Sequence, residues 1–165
     1  MFRGLVILLT LSACSKQSAT LGALRLSGLE VLSPAESSLV REIAEDFNVR
    51  AGKSVLLTEG PTATVTFHRT SAAEMAALPQ NETTHDGLAV RSASGCDVYI
   101  RDTYFTNAQR DSFTALAWHE VGHCYALEHA TADTEIMFPS FQPSSAYGAD
   151  AIARFFGLVV SASGL

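Results

Sequence analysis

Residues 119–129 read His-Glu-Val-Gly-His-Cys-Tyr-Ala-Leu-Glu-His, and Ile136-Met137-Phe138-Pro139 follows shortly after. His119 and His123 are four apart, so a helix projects both from one face, one turn above the other. Two imidazoles at that spacing can grip one Zn²⁺ with bonds of about 2.0–2.1 Å. Glu120 stands beside the first ligand, where it can take a proton from a water on the metal. His129 completes a three-histidine set if the helix ends near Ala126–Leu127 and the chain turns back. A fourth position then stays open, as a catalytic site requires. A purely structural zinc site explains the histidines but leaves Glu120 without a use, and such sites are normally closed by four protein ligands.

The segment resembles the metzincin zinc endopeptidases, whose pattern is His-Glu-x-x-His-x-x-Gly-x-x-His followed by a methionine turn. The match rests on His119, Glu120, His123, His129 and Met137. The short step from His129 to Met137 is most similar to the matrixin type, as is Ile136-Met137-Phe138-Pro139. The resemblance implies that His119, His123 and His129 ligate one catalytic Zn²⁺ and that Glu120 is the general base. It implies that Met137 forms a hydrophobic floor beneath the metal. It also implies that Pro139, Ser140 and Phe141 wall the specificity pocket, and that the substrate is a peptide or protein. Matrixins often carry calcium and a second, structural zinc; their His/Asp pattern has no counterpart here. His68 and His85 show no paired ligand spacing, and Asp86 and Asp97 read as turn or surface residues. One position departs from the family: Ala126 stands where the pattern has Gly. A left-handed Ala at that turn costs roughly 1–2 kcal/mol.

The N-terminus carries a second signal. Arg3 precedes the apolar run Leu5-Val6-Ile7-Leu8-Leu9-Thr10-Leu11. That run is too short for a bilayer span, which needs about 20 residues, and it reads as the core of a secretory signal. Leu11-Ser12-Ala13-Cys14 resembles the lipobox of bacterial lipoproteins, in which the Cys is lipidated and becomes the new N-terminus. The resemblance implies a signal peptide over 1–13, and a lipidated Cys14 with a tether over 14–27. A folded domain over 28–165 follows. It implies export to the bacterial envelope, with membrane attachment through the lipid. Ser15 after Cys14 favours the outer membrane. An ordinary secretory signal and an uncleaved interfacial segment are the alternatives.

With Cys14 lipidated, Cys96 and Cys124 remain. In an oxidising compartment they form one disulfide or stay as two buried thiols. Loss of residues 1–13 leaves 10 basic and 17 acidic residues, a net charge of −7. An acidic chain without a Lys/Arg cluster excludes nucleic acid as a partner. The expected form is a monomer.

The rest of the chain reads as a scaffold. Ser33-Pro34-Ala35-Glu36 opens a helix with a capping box; Leu39, Val40, Ile43, Ala44 and Phe47 follow at helical spacing, and Gly52 ends it. Ser54–Thr58, Thr62–His68, Gly87–Arg91 and Asp97–Arg101 read as strands. Ser71–Leu78 reads as a short helix. Thr106-Asn107-Ala108-Gln109 reads as a second capping box, opening the histidine helix. Ser145–Phe156 reads as a last helix stopped by Gly157. The order predicts an α+β fold of the metzincin-like zincin type. A twisted mixed sheet of about four to five strands packs on the active-site helix and the N-terminal helix, with a C-terminal helix after the methionine turn. Val98, Tyr99 and Ile100 are the candidate edge strand for an extended substrate. The functional expectation is a zinc-dependent endopeptidase on the bacterial envelope. The competing readings are a non-catalytic zinc-binding lipoprotein that serves as a binding module, and a zinc hydrolase of another amide.

Overall fold

A computed structural model describes residues 22–58, 63–78, 86–140 and 142–165. Phe141, His85, Cys14 and the signal over 1–13 lie outside the described residues. The described residues form an α+β fold with five strands and four helices. The strands are β1 (Leu24–Ser27), β2 (Leu56–Leu57), β3 (Thr64–Thr70), β4 (Gly87–Arg91) and β5 (Gly95–Arg101). The helices are α1 (Pro34–Ala51), α2 (Ala72–Ala76), α3 (Arg110–Cys124) and α4 (Ala149–Ser163). The sheet order is β2-β1-β3-β5-β4. The first four strands of that order run parallel and β4 runs antiparallel to β5.

Helix α1 forms as the sequence predicts. Ser33 Oγ accepts the Glu36 amide, the Glu36 carboxylate accepts the Ser33 amide, and Gly52 closes the helix at φ 65. Its five expected apolar residues are all buried. Asn48 then pins the outer strand β2: its side-chain oxygen accepts from the Val55 and Leu56 amides, and its NH₂ donates to the Leu56 carbonyl at 2.6 Å. A polar side chain thus satisfies backbone groups that a sheet edge otherwise exposes. Phe47, Trp118, Phe155 and Phe156 meet edge to face, with Phe47–Phe156 centroids at 4.8 Å and Trp118–Phe156 at 5.4 Å. This aromatic cluster joins α1, α3 and α4. Across from it, Val65, Phe67, Val98 and Ile100 supply the buried side of β3 and β5.

Several boundaries differ from expectation. The tether over 14–27 ends sooner, because Leu24 and Leu26 are buried and Leu24–Ser27 is an inner strand of the sheet. Val98, Tyr99 and Ile100 do not form an edge: β5 lies between β3 and β4, and β4 is the edge on that side of the sheet. The Thr106 capping box does not form; Asn107–Gln109 is a 3₁₀ turn without a side-chain cap, and α3 starts at Arg110. The last helix runs through Gly157 to Ser163, since Gly157 is on an exposed face where it breaks no packing. Cys96 and Cys124 form a disulfide with Cα atoms 5.6 Å apart, which ties the start of β5 to the last residue of α3. Among the described residues no helix is long and apolar enough to cross a membrane.

Candidate metal centre

Helix α3 ends one residue after His123, and the way it ends brings in His129. Ala126 takes the left-handed conformation at φ 64. Its amide donates to the His123 carbonyl at 2.9 Å, and the Leu127 amide donates to the Gly122 carbonyl at 3.0 Å. These two bonds make a Schellman stop, in which Gly usually holds the left-handed position. The turn expected at this point therefore forms with Ala. It sends Glu128 and His129 back alongside the helix.

The three histidines converge. His123 Nε2 lies 3.1 Å from His119 Nε2 and 3.1 Å from His129 Nε2. One ligand atom from each of the three fits within 4.8 Å of the others. A tetrahedral ion with bonds of about 2.0–2.1 Å holds its ligand atoms roughly 3.3 Å apart. The spacing therefore suits a metal ion. The tautomers suit it as well. His119 Nδ1–H donates to the Ile136 carbonyl at 2.7 Å, and His123 Nδ1–H donates to the Leu127 carbonyl at 2.8 Å. A carbonyl can only accept, so the proton of each ring sits on Nδ1 and the Nε2 lone pair faces the cluster. Burial, with a further contribution from the charge of His129, holds His123 below the usual imidazole pKa, opposed by its bond to Leu127. These are the second partners that orient metal-binding imidazoles.

Met137 is buried, and the segment around it supplies the Ile136 carbonyl. The Ala130 amide donates to the Met137 carbonyl at 2.9 Å, which joins the two loops that carry the site. A Cβ on Gly122 would meet Met137 Sδ at 2.5 Å and Phe155 at 2.9 Å. Gly122, one residue before His123, thus lets the Met137 side chain rest on the helix backbone. Arg154 of α4 holds Glu135 at 2.6 Å and steadies the same turn from outside.

Glu120, His123, His129 and the edge strand β4 line one cleft of about 430 Å³. Glu120, His123, His129, Ala89, Arg91 and Pro139 are among its walls. Glu120 is buried, and burial pushes its carboxyl up to about 8; a hydrogen bond from the Ala89 amide opposes that rise. Pro139 reaches the cleft, whereas Ser140 is exposed and away from it.

Other expected groups are placed elsewhere. His68 Nε2 pairs with Asp97 at 2.7 Å and stacks on Tyr99 at 4.5 Å, apart from the cluster. Asp86 accepts from Arg101 at 2.8 Å and from Tyr104 at 2.7 Å, which fixes the start of β4. Tyr147, just before α4 and not an expected site residue, is buried and its hydroxyl accepts the Gln142 amide. Among the described residues the three histidines are the one group of three or more side chains able to hold a metal. Gly87 and Ala89 carry no signal of a cleft wall in the sequence, because a short apolar run such as Gly87–Arg91 reads only as a strand.

The chain matches no model of a known protein family, and no curated protein matches it.

Proposed function

We propose that the chain is a zinc-dependent endopeptidase of the metzincin type, matrixin-like in its turn at Met137 and held on the bacterial envelope by a lipid on Cys14. The observation that carries the reading is the convergence of three Nε2 atoms beside a buried carboxylate. His119 and His123 commit their Nδ1 protons to carbonyls, and Glu120 shares the cleft with His123 and His129. The sheet supports it too, with its parallel strands and one antiparallel strand at the cleft edge.

His119, His123 and His129 would hold the ion, and zinc suits an all-imidazole set. When bound, it supplies Lewis acidity toward a carbonyl and a water. The chain's own residues do the rest. The Glu120 carboxylate accepts a proton from the attacking water and returns it to the departing nitrogen. In the metal-free site burial raises the carboxyl to about 8, so a bound cation nearby would be needed to favour the ionised form that accepts the proton at near-neutral pH. The Ala89 amide fixes the carboxylate in place. Strand β4 offers backbone groups to an extended peptide, holding the scissile bond over the histidines.

The rival reading, a zinc-binding lipoprotein without catalysis, draws its support from Ala126. The turn forms with Ala126 in the left-handed conformation, so that substitution is no obstacle to a three-histidine site. The test is cleavage of a peptide library by the purified chain loaded with zinc. Hydrolysis that vanishes in Glu120→Ala, with zinc retained, is the expected result. Absence of hydrolysis in the parent chain refutes the peptidase reading. Labelled-palmitate incorporation that depends on Cys14 tests the anchor separately.

A further inference from the structure

Among the described residues, β4 pairs with another strand on one side only. The Arg101 amide donates to the Asp86 carbonyl, and the Ser92 amide donates to the Gly95 carbonyl. In the register that pairs Leu88 with Tyr99 and Val90 with Asp97, every second residue of β4 turns its backbone groups to β5. Gly87, Ala89 and Arg91 turn theirs outward. Ala89 spends its amide on Glu120. Side chains alternate across a strand, so Gly87, Ala89 and Arg91 share one face. A Cβ on Gly87 would touch Glu120 and Leu116 of α3, which identifies that face as the one turned toward the helix and the cleft.

Arg91 therefore extends along the same side of the strand as the histidines and Glu120, and it lines their cleft. It is exposed and makes no ion pair among the described residues. The other acidic wall residue besides Glu120 is Glu128, next to His129 in the chain, and it makes no ion pair with Arg91. We propose that Arg91 is a specificity-determining residue that selects substrates with an acidic side chain on the N-terminal side of the scissile bond. The inference rests on the peptidase reading. Its direction follows from the strand. A peptide added antiparallel to β4, the more stable pairing, runs toward Gly87 as it goes from N to C. Glu120 lies at the Gly87–Ala89 end, and Arg91 stands two residues on, about 7 Å along the strand from Ala89. A side chain opposite Arg91 thus belongs to a residue some two or three positions before the bond that is cut.

The test uses the full chain loaded with zinc. Its cleavage bond is first mapped on a peptide library. Matched peptides then carry Glu, Gln or Lys at the second and third positions before that bond. The parent chain should favour Glu over Lys roughly three- to five-fold in kcat/KM, the scale of an exposed ion pair. Half-molar salt should shrink that ratio. Arg91→Gln should bring it near one, and Arg91→Glu should invert it, with zinc content unchanged in both. A parent ratio of one, an unchanged ratio in Arg91→Glu, or a preference confined to the C-terminal side overturns this inference alone. No cleavage of any peptide by the zinc-loaded parent overturns the peptidase reading together with it.

Discussion

Gly87 and Glu120 compete for one space: a Cβ on Gly87 would lie 2.6 Å from Glu120 Oε1 and 2.7 Å from Leu116 Cδ1. The carboxylate of the candidate base is seated under the first residue of the edge strand because that residue has no side chain.

Gly87→Ala should therefore displace the Glu120 carboxylate, the mobile end of that contact, more than it disturbs the histidines. Peptide hydrolysis should fall at least about tenfold, a barrier change of roughly 1.4 kcal/mol. Zinc content should stay at the parent value. Loss of zinc in this variant, measured by elemental analysis, would mean that Gly87 supports the metal rather than the base.

The left-handed Ala126 makes a second prediction. Ala126→Gly relieves roughly 1–2 kcal/mol of local strain but loosens the unfolded chain by roughly 0.4–1 kcal/mol. Net stabilisation of up to about 1.6 kcal/mol is expected in denaturant unfolding of the zinc-free chain. Destabilisation would show that the Ala126 methyl packs usefully in the cleft wall it lines.

The disulfide joins residues 28 apart. Closing a loop of that length restricts the unfolded state by about 3.6 kcal/mol in the chain-entropy account. A Cys96→Ala, Cys124→Ala double variant should lose stability on that scale. Because Cys124 ends α3 beside His123, its zinc affinity should also weaken. Equal unfolding midpoints under reducing and oxidising conditions would contradict the first expectation, and an unchanged zinc affinity in the double variant the second.

Asp111 anchors the segment before α4. It accepts hydrogen bonds from the Ser144 and Ser145 hydroxyls and from the Ser145 amide at 3.0 Å. The Ser144 bond first, then Ser145, holds its carboxyl below the ordinary Asp value of 3.8. A depressed folded pKa means that the unfolded state takes up the proton more readily as pH falls. The stabilisation is thus complete above about pH 5, and it is lost as pH drops below 3.8 and through the folded value. The stability gap between the parent and Asp111→Asn should be present at pH 6 and close below that range. A gap that does not narrow at all as pH falls below 3.8 would mean that the carboxylate charge contributes nothing to it.

How much of this was legible in the sequence depended on whether the signal was local. His119 and His123 announce themselves because helical spacing alone puts them on one face, and Ser33 with Glu36 completes a cap within four residues. The Cys96–Cys124 pairing needed only a count of cysteines, yet the count left two free thiols open as an alternative. Strand β1 was missed because four residues, two of them buried, carry too little periodicity to stand out from the polar segment before them. The edge was assigned to Val98-Tyr99-Ile100 because a strongly β-forming run reads as a strand but says nothing about its neighbours. Strand order depends on non-local pairing, and β4 reaches the cleft only because it folds back antiparallel on β5. Gly157 was read as a stop because glycine often is one; on the exposed face of a helix already fixed by Phe155, Phe156 and Val159 it is tolerated.

The measurement that bears most directly on the account is zinc stoichiometry and peptide hydrolysis, taken together, for the parent chain and Glu120→Ala. The expected result is one zinc per chain in both proteins, with hydrolysis in the parent and essentially none in the variant. A parent chain that binds no zinc, or a Glu120→Ala variant that still cleaves at the parent rate, would contradict it.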